Sequence, residues 1–315
     1  MSLFKSPGDL KVNHTIKALI YGEPGIGKST VALSAPSPVL LDFDGGVQRV
    51  NGAFQCPTLQ VENWDQVVAA LGEISNGSVS CKTIVIDTAG KMLDYMSQEI
   101  IKKDSRMGTR DGSLTLKGYG VRKSMFINFL KQVSIMGKHL VFVAHERENK
   151  DGDVRIVRPE IGGSSAGDLI KELDLVGYMC AIGKDRTIGW TPQEKYYAKN
   201  TCNLPAVHKV LNIIDENGNI IGENNFLTLV FGNYESYLTS TVDKRRKYDN
   251  LVASFSKGID AVSDVDSANK VLGKIVEYDK HIWDSKVRVE SLLQVKADSL
   301  GLRYNAIDNV YEVAS

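Results

Sequence analysis

Residues 16–30 read IKALIYGEPGIGKST. Ile16 to Tyr21 is apolar and β-prone and stops at Gly22, and glycines follow at Gly25 and Gly27. The run STVALSA after them suits a helix. Gly22 to Ser29 fits G-x-x-x-x-G-K-S/T, and a strand before it and a helix after it are the context a phosphate-binding loop requires. Glycines let backbone N–H groups turn inward around phosphate oxygens, at a helix N-terminus whose partial positive charge favours an anion. The expected nucleotide contacts are Gly22, Glu23, Pro24, Gly25, Ile26, Gly27, Lys28, Ser29 and Thr30. Lys28 is expected to place its charge on the β- and γ-phosphates and the Ser29 hydroxyl to ligate magnesium, so the expected ligands are ATP and Mg2+.

Working outward, short apolar runs recur at Val39 to Phe43, Thr83 to Ile86 and Leu140 to Ala144. Helical spacing of apolar residues marks Trp64 to Ser75, Lys91 to Lys103 and Tyr119 to Met136 between them. Strands alternating with helices imply an α/β fold with a mainly parallel sheet between helices. Asp174 to Ile182, Thr187 to Trp190, Tyr196 to Ala198 and Asn212 to Phe231 read as further strands, with Asn217-Gly218 as a hairpin turn. After Tyr237 the spacing turns helical and no strand-like run is evident. The expected organisation is a core over 1–239 and a small helical appendage over 240–315.

Three further runs end in polar groups where an open α/β sheet gathers its ligands. In KTIVIDT, Asp87 closes a buried-strand pattern and is the expected magnesium-holding carboxylate. No second acid follows it. In VLLDFDGG, Asp42 and Asp44 alternate along an extended chain, and Asp44 is the expected base for the attacking water with Asp42 assisting. LVFVAHERE ends at His145, expected to bond a γ-phosphate and report its loss.

Of the 315 residues 43% are hydrophobic and 24% charged, the composition of a chain able to bury a core. No apolar run has transmembrane or signal-peptide length, which implies no membrane association and a cytoplasmic protein. Cys56, Cys81, Cys180 and Cys202 are scattered, without disulfide or zinc-ligand spacing. The zero net charge means that affinity for nucleic acid must rest on local features.

The order of GEPGIGKST, VLLDFDGG, TIVIDT and LVFVAHERE resembles the RecA-like ATPases encoded by bacteriophages, a group associated with single-strand annealing and recombination. The similarity spans roughly residues 14 to 235. It implies a RecA-like P-loop core, ATP hydrolysis and assembly into a ring or filament. ATP then lies at a subunit boundary beside a neighbour's basic group, for which Lys184 and Arg186 are the candidates. It also implies single-stranded DNA as a partner, a single-strand-binding or replication protein as another, and an infected bacterial host. Recombinases more often carry Glu where this chain has Asp44, and Gln where it has His145.

Between Lys102 and Lys123 the chain carries seven Lys/Arg against two Asp, with several glycines. Lys102, Lys103, Arg106 and Arg110, with Tyr119 as a stacking ring, are the candidate contacts to single strands. A second loop, Glu146 to Gly167, is suited to phosphate contact. The leading expectation is a DNA-recombination ATPase that promotes annealing or strand pairing. A nucleotide-gated adaptor such as a helicase loader, or a small-molecule kinase, are the alternatives.

Overall fold

The computed structural model describes residues 3–5, 7–10, 12–151, 154–162, 165–183 and 185–314. The chain divides into two units, His14–Tyr234 and a second made of Met1–Asn13 with Glu235–Ser315.

The larger unit follows the alternation in the sequence: β1 (Lys17–Gly22), α1 (Lys28–Ala32), β2 (Pro38–Asp42), β3 (Thr58–Gln60), α2 (Trp64–Ser75), β4 (Thr83–Asp87), α3 (Ala89–Lys103) and α4 (Leu116–Ile135). There follow β5 (His139–Asp151), β6 (Val154–Pro159), α5 (Ser165–Glu172), β7 (Leu175–Ile182), β8 (Asp185–Gly189), β9 (Lys199–Asn200) and β10 (Val207–Val210). The sheet order is β10-β8-β7-β1-β5-β4-β2-β3, with β6 beside β5 and β9 beside β7. Strands β7, β1, β5, β4, β2 and β3 are parallel neighbours. The strand that carries His145 thus lies between the phosphate-loop strand and the strand that ends in Asp87.

Burial on both faces explains the near-continuous apolar strands, because each successive side chain enters a different core. Leu19, Tyr21, Ile84 and Ile86 pack with α2, α3 and α4, whereas Ala18, Ile20, Val85 and Val143 pack with α1 and Leu227, Val230 and Phe231. Each large aliphatic side chain so buried contributes about 1.5–3 kcal/mol.

Three expectations are corrected here. Glu146 to Gly167 is not an open loop, since β5 runs on to Asp151 and pairs antiparallel with β6, and α5 begins at Ser165. In Asn212 to Phe231 the expected hairpin turn forms, closed by a single antiparallel bridge from Ile214 to Ile220, but extended strands do not. A turn forms at Asp215–Asn219, where the Asp215 carboxylate accepts from Asn217 and Asn219 backbone N–H groups, and helix α6 (Phe226–Asp260) starts at Phe226. The spacing of Leu227, Val230, Phe231 and Tyr234 decides this, because only a helix turns all four toward the sheet. Tyr196 to Ala198 precedes β9 and is not itself a strand.

In the second unit α6 is followed by α7 (Val265–Glu277), α8 (Ser285–Ser299), β11 (Leu302–Asn305) and β12 (Val310–Val313). Its core joins Ile259, Ala268, Ile275, Val289, Leu293 and Tyr311. The purely helical expectation is corrected by the β11–β12 hairpin, whose four-residue strands are too short to leave a periodic signal. The division between the units falls within α6. Among the described residues no helix is long and apolar enough to cross a membrane.

Candidate nucleotide site

Register fixes the site. Gly22 stands opposite His145 on β5 and Met179 on β7, and Asp42 stands opposite Asp87, so the C-terminal ends of five parallel strands share one edge. The phosphate loop leaves β1 there. Gly25 and Gly27 have φ of 77° and 100°, a region in which a side chain is strained, and Gly27 leads directly into α1. The loop therefore forms because glycine stands where the backbone must turn left-handed.

Lys28 is buried, and its ammonium donates to the carbonyl oxygens of Gly22 at 2.9 Å and Glu23 at 2.6 Å. Burial pulls its pKa below the ordinary lysine value, against the opposing charges of Asp87, Glu146 and Glu23. The Ser29 hydroxyl donates to Asp87 Oδ2 at 2.6 Å. Burial also holds the Asp87 carboxyl above the usual carboxylate range; the Ser29 hydrogen bond opposes this, and Asp42 and Asp44 add to it. A half-buried hydroxyl in contact with a buried carboxylate, beside a lysine at a helix N-terminus, forms a donor set that fits magnesium and a polyphosphate. Bound there, the metal would neutralise charge that develops on the phosphates.

The two acids after β2 are separated in role. Asp42 is buried, and its carboxylate accepts from the backbone N–H groups of Asp44, Gly46 and Val47 at 3.1–3.2 Å. It organises the turn after β2. Asp44 is half-buried, and its N–H and that of Phe43 donate to the Asp87 carbonyl, which ties this turn to the end of β4.

His145 is half-buried beside Gly22, and its Nδ1 is buried without a hydrogen-bond partner. Glu146, which the sequence pattern did not single out, lies next to it with a buried, unpartnered Oε2. Burial raises its pKa, the nearby Tyr178 hydroxyl and the charge of Lys28 lower it, and Glu23 raises it. Its signal was its position one residue past the expected sensor, in a run that alternates between faces.

Arg186 lies on its own chain's phosphate loop: Nη1 donates to the Ile26 carbonyl at 3.4 Å and Nη2 to Asn212 Oδ1 at 2.6 Å. It was expected to reach into a neighbour, and its placement in cis follows from the β7–β8 hairpin returning over Gly27. Lys184 lies outside the described residues.

The basic segment does not join this site, and it is less free than its composition implied. Lys102 pairs with Asp65 and Glu99, Lys103 with Glu99, and Arg106 with Asp104. Thr109, Asp111 and Ser113 close a hydrogen-bonded turn, and α4 begins at Leu116, so the segment is a short folded connection between helices. Arg110 is exposed. Tyr119 is 37% exposed, with the Arg122 guanidinium 4.8 Å over its ring, so the ring already has a cationic partner.

Fold and site together define a P-loop nucleotide-binding protein. The family model described as an AAA domain (AAA_24) matches residues 14–202, more than half of the chain, and the chain belongs to that family. No curated protein matches. Among solved structures it is similar to a KaiC-like protein, PH0186, from the hyperthermophilic archaeon Pyrococcus horikoshii OT3. That similarity has 11% identity and a TM-score of 0.32, and covers 55% of this chain and 77% of the other.

Proposed function

We propose that this chain is a magnesium-dependent ATPase of DNA recombination, which binds single strands, promotes their annealing or pairing, and uses ATP to switch its state of self-assembly as a ring or filament. The observation that carries the ATPase reading is the contact between Ser29 and Asp87 beside Lys28. In that reading Lys28 and Arg186 hold phosphate oxygens from opposite sides of Gly27, Ser29 and Asp87 hold the metal, and His145 bonds the terminal phosphate. Such positioning and charge stabilisation supply most of the catalysis of phosphoryl transfer.

Support for single-strand binding comes from the exposed Arg110 and the partly exposed Tyr119. The measurement is turnover with and without single-stranded DNA, alongside a gel shift with and without ATP and magnesium. Stimulated turnover and an ATP-dependent shift support the proposal, and turnover that DNA does not change removes its recombination half.

One observation favours a second reading, a nucleotide-gated adaptor. Asp87 has no acidic neighbour at Thr88 and Asp42 is occupied by backbone donors, so the carboxylates left for hydrolysis are few. Tight nucleotide binding without turnover, with or without DNA, selects the adaptor.

A further inference from the structure

The carboxylates of the site sort into two halves. Asp87 is taken by Ser29, Asp42 by three backbone N–H groups, and Asp44 lies close enough to Asp87 for their charges to interact. All three belong to the magnesium side. The lysine side is served from β5 and β7. Leu140, Phe142 and Ala144 point to the face that holds Tyr21, and Glu146 continues that row one residue beyond the Gly22–His145 pair.

We propose that Glu146 is the carboxylate that takes a proton from the attacking water, with the Tyr178 hydroxyl as its positioning partner. The inference rests on the ATPase reading and deepens it. Tyr178 stands opposite Tyr21 in the β1–β7 register, their rings are 5.3 Å apart, and its hydroxyl is near enough to the Glu146 carboxylate to favour the charged form. Oε2 is buried with no donor, so it has an acceptor site available. The Glu146 charge interacts with Lys28, the residue that defines the phosphate end of the site. A carboxyl raised by burial is also a better base at neutral pH than an ordinary one.

In the step itself the Glu146 carboxylate accepts a proton from water as the water oxygen bonds to the γ-phosphorus. The bond from that phosphorus to the β–γ bridging oxygen breaks, ADP leaves with the electron pair, and the proton passes on to solvent.

The groups facing Glu146 are Tyr178 on β7, Tyr21 on β1, Lys28 on α1, Glu23 in the loop and Glu148 on its own strand. Removing the Tyr178 hydroxyl raises the Glu146 pKa, because that hydroxyl favours the charged form.

The experiment compares wild type, Glu146→Gln, Tyr178→Phe and Asp44→Asn for turnover against pH and magnesium, and for binding of a fluorescent ATP analogue. Glu146→Gln is expected to lose about 100-fold in turnover, within the usual range for a general base, while keeping nucleotide affinity within a few-fold. Tyr178→Phe, which keeps the ring, is expected to move the acidic limb of the pH–rate profile to higher pH. Asp44→Asn is expected chiefly to raise the magnesium requirement. Wild-type turnover in Glu146→Gln, or an acidic limb that stays in place in Tyr178→Phe, overturns the inference and leaves the ATPase reading standing. A wild type that binds nucleotide and never hydrolyses it overturns both.

Discussion

The Ser29 hydroxyl donates a 2.6 Å hydrogen bond to Oδ2 of Asp87, a residue 58 positions further along the chain. That contact closes the side of the site where the proposed magnesium would bind and makes its first test. Asp87→Asn keeps an acceptor for Ser29 but removes the charge. Magnesium-dependent binding of an ATP analogue is expected to weaken roughly 10- to 100-fold, as when a metal site loses a supporting group. Chelating magnesium from the wild type should reproduce the variant's affinity, as fluorescence titration can establish.

Lys28→Ala should abolish nucleotide binding in a folded protein, since it removes the charge placed over the phosphates and leaves both cores intact. Equal ATPase rates in a variant with a wild-type circular dichroism spectrum would refute the phosphate-loop assignment.

A methyl group at Gly22 would collide with the backbone carbonyl of Met179. Gly22→Ala must push β1 away from β7 at the loop, and backbone cannot swing aside as a side chain can. The expected cost is about 1–3 kcal/mol of stability together with loss of nucleotide affinity. Chemical denaturation and analogue binding measure the two effects on one preparation.

Trp190 Nε1 donates to His208 Nδ1 at 3.0 Å, and burial holds the His208 pKa below the ordinary histidine value. A depressed folded-state pKa contributes stability above the unfolded value, near 6.5, and that stability is lost as pH falls toward the folded value. Wild type should therefore lose melting temperature below about pH 6.5 more steeply than His208→Gln, which has nothing to protonate there. Parallel melting curves for the two proteins from pH 7.5 to 5 would show the assignment to be wrong.

Arg110 is the cleanest probe of single-strand binding, because reversing Lys102, Lys103 or Arg106 would also break their ion pairs with Asp65, Glu99 and Asp104. Arg110→Glu should weaken labelled-oligonucleotide binding and lower the salt slope by about one phosphate contact. Affinity for the ATP analogue should not change. An unaltered oligonucleotide affinity and slope place any DNA surface elsewhere.

Much of the core was legible because its signals are local. The apolar runs ending at Gly22, Asp87 and His145 became β1, β4 and the buried part of β5, and Trp64 to Ser75 became α2 without shift. The misread stretch, Asn212 to Phe231, mixes β-prone residues with a helical spacing of Leu227, Val230 and Phe231. Propensity favours one structure there and burial of the spaced stripe the other, and burial carries more free energy.

By itself the sequence determined the phosphate loop, since left-handed turns at Gly25 and Gly27 and a lysine opening the helix need only neighbouring residues. It also determined that the strands alternate with helices around a buried sheet. What each acid does was decided by tertiary structure alone. Asp42 and Asp44 were expected to share one role, as assistant and base, yet in the fold Asp42 meets three backbone donors and Asp44 lies near enough to Asp87 for their charges to interact. Glu146 and Arg186 likewise gain their places only when β5 and β7 pair with β1 and the β7–β8 hairpin returns over Gly27. Charge, desolvation and hydrogen bonding depend on distances between residues far apart in the chain, and those distances exist only once the strands have paired.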